Sequence, residues 1–172
     1  MSRNVLAKRS VLFAGRAPPV GGLCDIISGN LPAMCNCTDA HLGGEVLCEV
    51  NVLDKDTIGV AVNILPCAKP ASISFNVTEA DKGISYSVGE SLPYTGSIPV
   101  PGLSIVTPIG SGGVELEVTL DGDVDQMQVD VAVDVCVDVP VWGKECGSKI
   151  TSDLPYVLLN QTFDFSKLCA AN

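Results

Sequence analysis

From Val114 to Val139 apolar and polar residues alternate with a period of two, and only extended backbone keeps two such sets apart. Val114, Leu116, Val118 and Leu120 interleave with Glu115, Glu117 and Thr119. Val129, Val131, Val133, Val135, Val137 and Val139 interleave with Asp130, Ala132, Asp134, Cys136 and Asp138. On a strand these residues make one dry and one wet face, whereas a helix would scatter them around its circumference. A turn is predicted at Asp121-Gly122-Asp123. The phase slip between Val124 and Met127 predicts a β-bulge near Asp125 and Gln126.

The same period governs the chain upstream. Val46, Cys48, Val50 and Val52 share one face, as do Ile58, Val60, Val62 and Ile64 across a turn at Asp54-Lys55-Asp56, which is a hairpin signal. Ala71, Ile73, Phe75 and Val77 alternate with Ser72, Ser74, Asn76 and Thr78, and Ile84, Tyr86 and Val88 make a further short strand. Over residues 92–113, Pro93, Pro99, Pro101 and Pro108 lack backbone donors, which confines that passage to a sheet edge or an extended loop. A last strand over residues 156–165 is expected to put Val157, Leu159, Phe163 and Phe165 on one side, with Asn160 and Thr162 on the other. No stretch beyond Gly22 longer than about ten residues holds a 3.6-residue period. The expected fold is therefore all-β, an antiparallel sandwich of seven or eight strands. It is immunoglobulin-like in architecture only, because Trp142 falls in a turn six residues after Cys136 and the immunoglobulin cysteine–tryptophan–cysteine spacing is not met.

Eight cysteines, Cys24, Cys35, Cys37, Cys48, Cys67, Cys136, Cys146 and Cys169, predict a disulfide-stapled domain. A zinc site would need paired cysteine or histidine clusters, and the chain offers only Cys35-x-Cys37 and one histidine, His41. Five cysteines precede the 68 residues between Cys67 and Cys136 and three follow them, so complete pairing requires at least one bridge across that interval. Bridge geometry disfavours a bond between Cys35 and Cys37, so each is expected to reach a different partner. Asn36, Asn76 and Asn160 each open a glycosylation sequon, and with the cysteines they point to an extracellular or secreted protein.

Charge divides the chain in two. Residues 1–22 hold Arg3, Lys8, Arg9 and Arg16 and no acid, and read as a basic N-terminal extension, a targeting remnant or pro-segment, ahead of one cystine-rich β domain over residues 23–172. Its longest apolar run, residues 11–14, is too short for a standard signal peptide. The rest carries six bases against twenty acids, which argues against nucleic acid as a partner. No window is apolar for long enough to be a transmembrane helix. With 47% apolar and 17% charged residues the chain is neither disordered nor a coiled coil.

Few residues suit catalysis. A serine triad would have to use His41, and no Gly-x-Ser-x-Gly elbow exists. Gly110-Ser111-Gly112-Gly113 lacks the lysine of a phosphate loop and reads as a turn. Asp121, Asp123 and Asp125 have the spacing that opens a calcium loop, but Gln126 and Ala132 stand where its glycine and bidentate acid belong. An EF-hand is excluded, and a looser calcium site in this loop is the one metal candidate. The expectation is a non-enzymatic module without cofactor, acting in extracellular structure, adhesion or assembly through protein partners or self-association. The interaction segment is placed in residues 91–113, with Leu92, Ile98, Val100, Leu103, Ile105 and Ile109 available for a neighbouring chain. The alternative is a carrier of an apolar or lipid ligand between the two sheets.

Overall fold

The computed structural model describes residues 21–170, so the basic extension lies outside the described residues apart from Gly21 and Gly22. A short helix α1 (Leu23–Ile27) leads into strands β1 (Cys35–Ala40), β2 (Gly43–Val52), β3 (Asp56–Leu65), β4 (Ser72–Glu79) and β5 (Ile84–Ser91). Then follow β6 (Tyr94–Thr107), β7 (Gly110–Asp123), β8 (Gln126–Val139), β9 (Gly143–Cys146), β10 (Tyr156–Phe163) and the closing helix α2 (Ser166–Ala170). No helix of the described residues is long and apolar enough to cross a membrane.

The strands form two antiparallel sheets that follow one another in sequence. The first is a meander in the order β1-β2-β3-β4-β5; the second runs β10-β8-β7-β6, with β9 beside the last residues of β8. The fold is thus the expected disulfide-stapled all-β sandwich. Neighbouring strands are hairpin-connected almost throughout, so the likeness to an immunoglobulin domain ends at two facing sheets. The described residues form ten strands where seven or eight were expected. The short β1 and β9 sit in cystine hairpins too brief for a periodic signal, and the proline-rich passage forms a complete strand, β6.

The dry faces meet in one contiguous cluster. Val46, Val50, Ile58, Val60, Val62, Ile73, Phe75 and Val77 from the first sheet face Ile98, Leu116, Val118, Val129, Val131 and Val133 from the second, all nearly or fully removed from water. Phe165, beyond β10, plugs one end; Asp164 holds the start of α2 there by accepting the Ser166 N–H at 2.9 Å. At the same end Cys67, after β3, bonds to Cys169 in α2 and ties the sheets together over a sequence separation of 102. This is the bridge across the two cysteine groups that parity demands. At the other end the Leu53 N–H donates to Tyr156 Oη at 3.1 Å, joining the β2–β3 turn to β10. The other three disulfides are local. Cys24–Cys37 fastens α1 to β1, while Cys35–Cys48 and Cys136–Cys146 each link directly opposed residues of adjacent strands.

Four local expectations need correction. The residues 121–123 are still strand: β7 and β8 pair through Asp123 and Gln126, so the phase slip is the hairpin turn itself at Val124 and Asp125. Gly122 allows this, at φ +90°, because a Cβ there would lie 2.1 Å from the Gln126 carbonyl oxygen. The glycine run 110–113 is likewise strand and not turn. At Gly112 a side chain would collide with Val135, with its Cβ 2.6 Å from Val135 Cγ1, and the real turn is at Pro108 and Ile109. Val157 points outward, since the β10 register shifts between Val157 and Leu159.

Cys67–Cys169 closes by far the longest loop of the four bridges, and so removes the most freedom from the unfolded chain. The double substitution Cys67→Ser/Cys169→Ser is expected to lower unfolding free energy by about 2–5 kcal/mol. Removing Cys136–Cys146, with a separation of 10, should cost less. Urea unfolding of both variants measures the difference, and equal losses would contradict the account.

Candidate functional site

Reactive side chains are few in this molecule. All eight cysteines are consumed in disulfides, and His41 is exposed in the β1–β2 turn. Acids are the remaining chemistry, and the outer face of the second sheet concentrates them. Glu115 on β7 lies directly opposite Asp134 on β8, both buried, with Glu117 two residues along. The segment after β9 covers this spot: a Cβ on Gly147 would come within 3.2 Å of Asp134 Oδ2. Lys144 on β9 forms an ion pair with Glu115, and the Val135 N–H donates to Asp134 Oδ1 at 2.8 Å. The Glu117 pKa is raised, first by burial, then by its hydrogen bond to Asp134 and the charges of Asp134 and Glu115, with Lys144 opposing.

Beside this patch runs an open groove of about 420 Å³ whose lining includes Thr95, Ser97, Glu117, Asp130, Val157 and Asn160. Asp130 accepts from Gln128 Nε2 at 2.6 Å through one oxygen, and its other oxygen is buried without a partner. The groove offers hydroxyls, an amide and acids, and its lining has no histidine, cysteine or lysine. Glu115, Cys136 and Cys146 are the one group of three ligand-type residues gathered among the described residues, but both sulfurs belong to one disulfide and hold no thiolate for a metal. Asp121, Asp123 and Asp125, the calcium candidate, are exposed along the β7–β8 hairpin and are not brought together.

The sequons occupy outer positions to different degrees. Asn36 on β1 and Asn160 on β10 are exposed. Asn76 shares the outer face of the first sheet with Ser74 and Thr78, while Phe75 and Val77 point into the core. Because β4 is an inner strand, however, Asn76 is half-buried between Ala61 and Ser87, with its carbonyl oxygen unpartnered.

The expected interaction segment is largely spent on the molecule's own core. Ile98, Val100, Leu103 and Ile105 are buried, Leu92 is half-buried, and only Ile109 is exposed, next to exposed Val106. Strand alternation is the reason: β6 turns these residues inward and puts Pro99 and Pro101 outward. The register shift after Pro99 absorbs Gly102 at φ +77°. What remains open lies elsewhere. β5 is an edge strand of the first sheet with no proline or lysine, half-buried at Ile84, Tyr86 and Val88 and exposed at Ser85, Ser87 and Gly89. At the β8–β9 turn Val141 is 100% and Trp142 78% exposed, the most exposed large apolar residues described. Reading the sequence for alternation passes over both features. The available signal for the second is the sole tryptophan standing in a Pro-Val-Trp-Gly turn instead of on a strand face.

No protein-family model, curated protein or solved structure matches this chain.

The raised Glu117 pKa carries a sign. The folded state holds that proton more tightly than the unfolded chain does, so the stabilisation is complete below the ordinary carboxylate range and is lost as pH rises through the raised value. Glu117→Gln should therefore raise the melting temperature at pH 7 by about 1–2 °C and change nothing near pH 4. Thermal unfolding by circular dichroism at both pH values is the measurement, and an equal shift at the two would contradict it.

Proposed function

We propose that the chain is a secreted, non-enzymatic glycoprotein module that works in extracellular structure, adhesion or assembly by binding other proteins. The observation that carries this reading is the uncovered β5 edge. Along it eight residues leave a row of backbone N–H and C=O groups on one side without strand partners. Proteins that remain alone usually protect such an edge with lysine, proline or a covering loop, and β5 has none of these. A strand from a partner adds there by main-chain hydrogen bonding, and the half-buried Ile84, Tyr86 and Val88 would gain cover from it.

Compartment is supported from a separate direction. Four disulfides persist where the surroundings are oxidising, and the asparagines of two of the three sequons are exposed. The absence of a free thiol and the exposed turn position of the single histidine fit a binding role better than nucleophilic catalysis.

Sedimentation of the native protein should show association in the micromolar range. Ser85→Lys/Ser87→Lys, two changes at exposed positions, is expected to weaken it at least about tenfold with the melting temperature unchanged. Identical sedimentation of variant and parent would remove the edge from the proposal. Glycopeptide mapping of protein from a secretory host should find sugar on Asn36 and Asn160 at higher occupancy than on half-buried Asn76. Occupancy highest at Asn76 would contradict the exposure argument.

A further inference from the structure

Register places two rows of residues side by side across the outer face of the second sheet. Asn160 on β10, Asp130 on β8, Thr119 on β7 and Thr95 on β6 stand directly opposite one another in turn. Val157, Ala132, Glu117 and Ser97 make the adjoining row on the same four strands. Residues opposed across an antiparallel pair point to one face, and both rows line the open groove of about 420 Å³ beside the Glu115–Asp134 patch. From Asn160 to Thr95 the groove crosses three strand spacings of about 4.8 Å each, long enough for the two N-acetylglucosamine rings that begin an N-linked glycan.

The lining suits that ligand, and the point where the ligand would be attached is itself part of the lining. Asn160 is exposed and heads the sequon Asn160-Gln161-Thr162. A pyranose presents hydroxyls around its rim, and its N-acetyl group adds a donor N–H and an apolar methyl. The hydroxyls of Thr119 and Thr95 and the carboxyl of Asp130 can accept from these donors. Asp130 has capacity to spare, because one oxygen accepts from Gln128 Nε2 at 2.6 Å and the other has no partner. The terminal torsion of an aspartate is soft, so a small rotation turns that oxygen toward the groove. Val157, 45% exposed because the β10 register shifts, gives the methyl an apolar wall beside the small Ala132. The lining holds no aromatic ring on which a free sugar could stack, so a sugar arriving from solution would be held weakly. A sugar bonded to Asn160 needs little affinity, since attachment holds it at an effective concentration of about millimolar order or more.

We infer that this groove holds the first sugars of the chain's own glycan on Asn160, laid inward from the β10 edge across β8 and β7, with Asp130 accepting from the first ring. The inference rests on the glycoprotein reading above and adds to it a place for one glycan. That sugar becomes part of the folded surface and joins the edge strand β10 to the two inner strands β8 and β7. The β5 edge belongs to the other sheet and stays open for a partner.

The test compares full-length protein from a secretory host with its Thr162→Ala variant, which loses the sequon but keeps Asn160. Asp130→Ala is placed in each. With sugar on Asn160, Asp130→Ala should lower the melting temperature by about 2–4 °C more than it does on the Thr162→Ala background. The cycle cancels whatever either substitution does to the bare strands. In the unsubstituted glycoprotein, nuclear Overhauser contacts should join the N-acetyl methyl of the first sugar to the Val157 methyls, a readout that requires no variant to fold. Thr162→Ala protein should show no saturable binding of free N,N′-diacetylchitobiose up to about 1 mM. Equal losses from Asp130→Ala with and without the sugar overturn the inference, and so does a first sugar that makes no contact with Val157. Saturation by free chitobiose below that concentration also overturns it, by making the groove a receptor for saccharides from outside. Sugar absent from Asn160 overturns this inference and the glycoprotein reading of that site together, whereas an occupied Asn160 that fails the cycle leaves the glycoprotein reading intact.

Discussion

Burial of two β-branched faces against each other is what everything else in this molecule leans on. The inner face of each meander is mainly valine, isoleucine and leucine at every second position, and neither sheet can shield that surface alone. Each such side chain taken from water contributes on the order of 1.5–3 kcal/mol, and valine and isoleucine lose little rotamer freedom in doing so. The sheets therefore close on one another, and the loops, helices and bridges are arranged around that closure. Aromatic rings are few inside: among the described residues Phe75, Phe163 and Phe165 are the buried ones, two of them at the sealed end beside Cys67–Cys169.

The disulfides divide the remaining work by range. Two of them cross between directly opposed residues of adjacent strands and fasten the short outer strands β1 and β9 to β2 and β8. One fastens α1, and one joins the two sheets. The polar groups that fall inside are mostly satisfied locally. Buried Glu79, for instance, accepts the backbone N–H groups of Asp81 and Lys82 at 3.0 and 2.6 Å, which shapes the turn that launches β5. Burying a carboxylate is tolerable here because two charge-assisted hydrogen bonds replace its water.

Uncovered apolar and edge surfaces thus collect at the margins of the closed core, and for different reasons. β5 is open because a meander of five strands must end somewhere, and its inward residues are only half covered by the opposing sheet. The β8–β9 tip is open because β8 outruns its neighbour β10, so that a small extra strand is needed to pair its last residues, and the turn beyond has nothing beneath it. A groove at the far end exists because the β3–β4 loop and α2 are drawn together by one disulfide without filling the space between them.

Period-two alternation by itself determined that this chain is extended, which residues of β2, β3, β4, β7 and β8 share the inner face, and which face Asn76 takes, because side-chain direction in a strand is a local property of the backbone. Cysteine parity likewise determined that one bridge crosses the interval between Cys67 and Cys136. Pairing choice, by contrast, belongs to the tertiary structure, since it depends on which loops meet at the end of the sandwich. So does the fate of residues 92–113: Ile98, Val100, Leu103 and Ile105 have the composition of a sticky segment, and only the presence of an open core beneath β6 makes them interior. The exact turn at Val124 and Asp125 was hidden because a two-residue hairpin and a bulge shift the phase in the same way. The candidate surfaces were the least legible part. Exposure at β5 and at Val141 and Trp142 is a statement about what is not packed there, and a sequence encodes contacts that form more plainly than those left for another molecule.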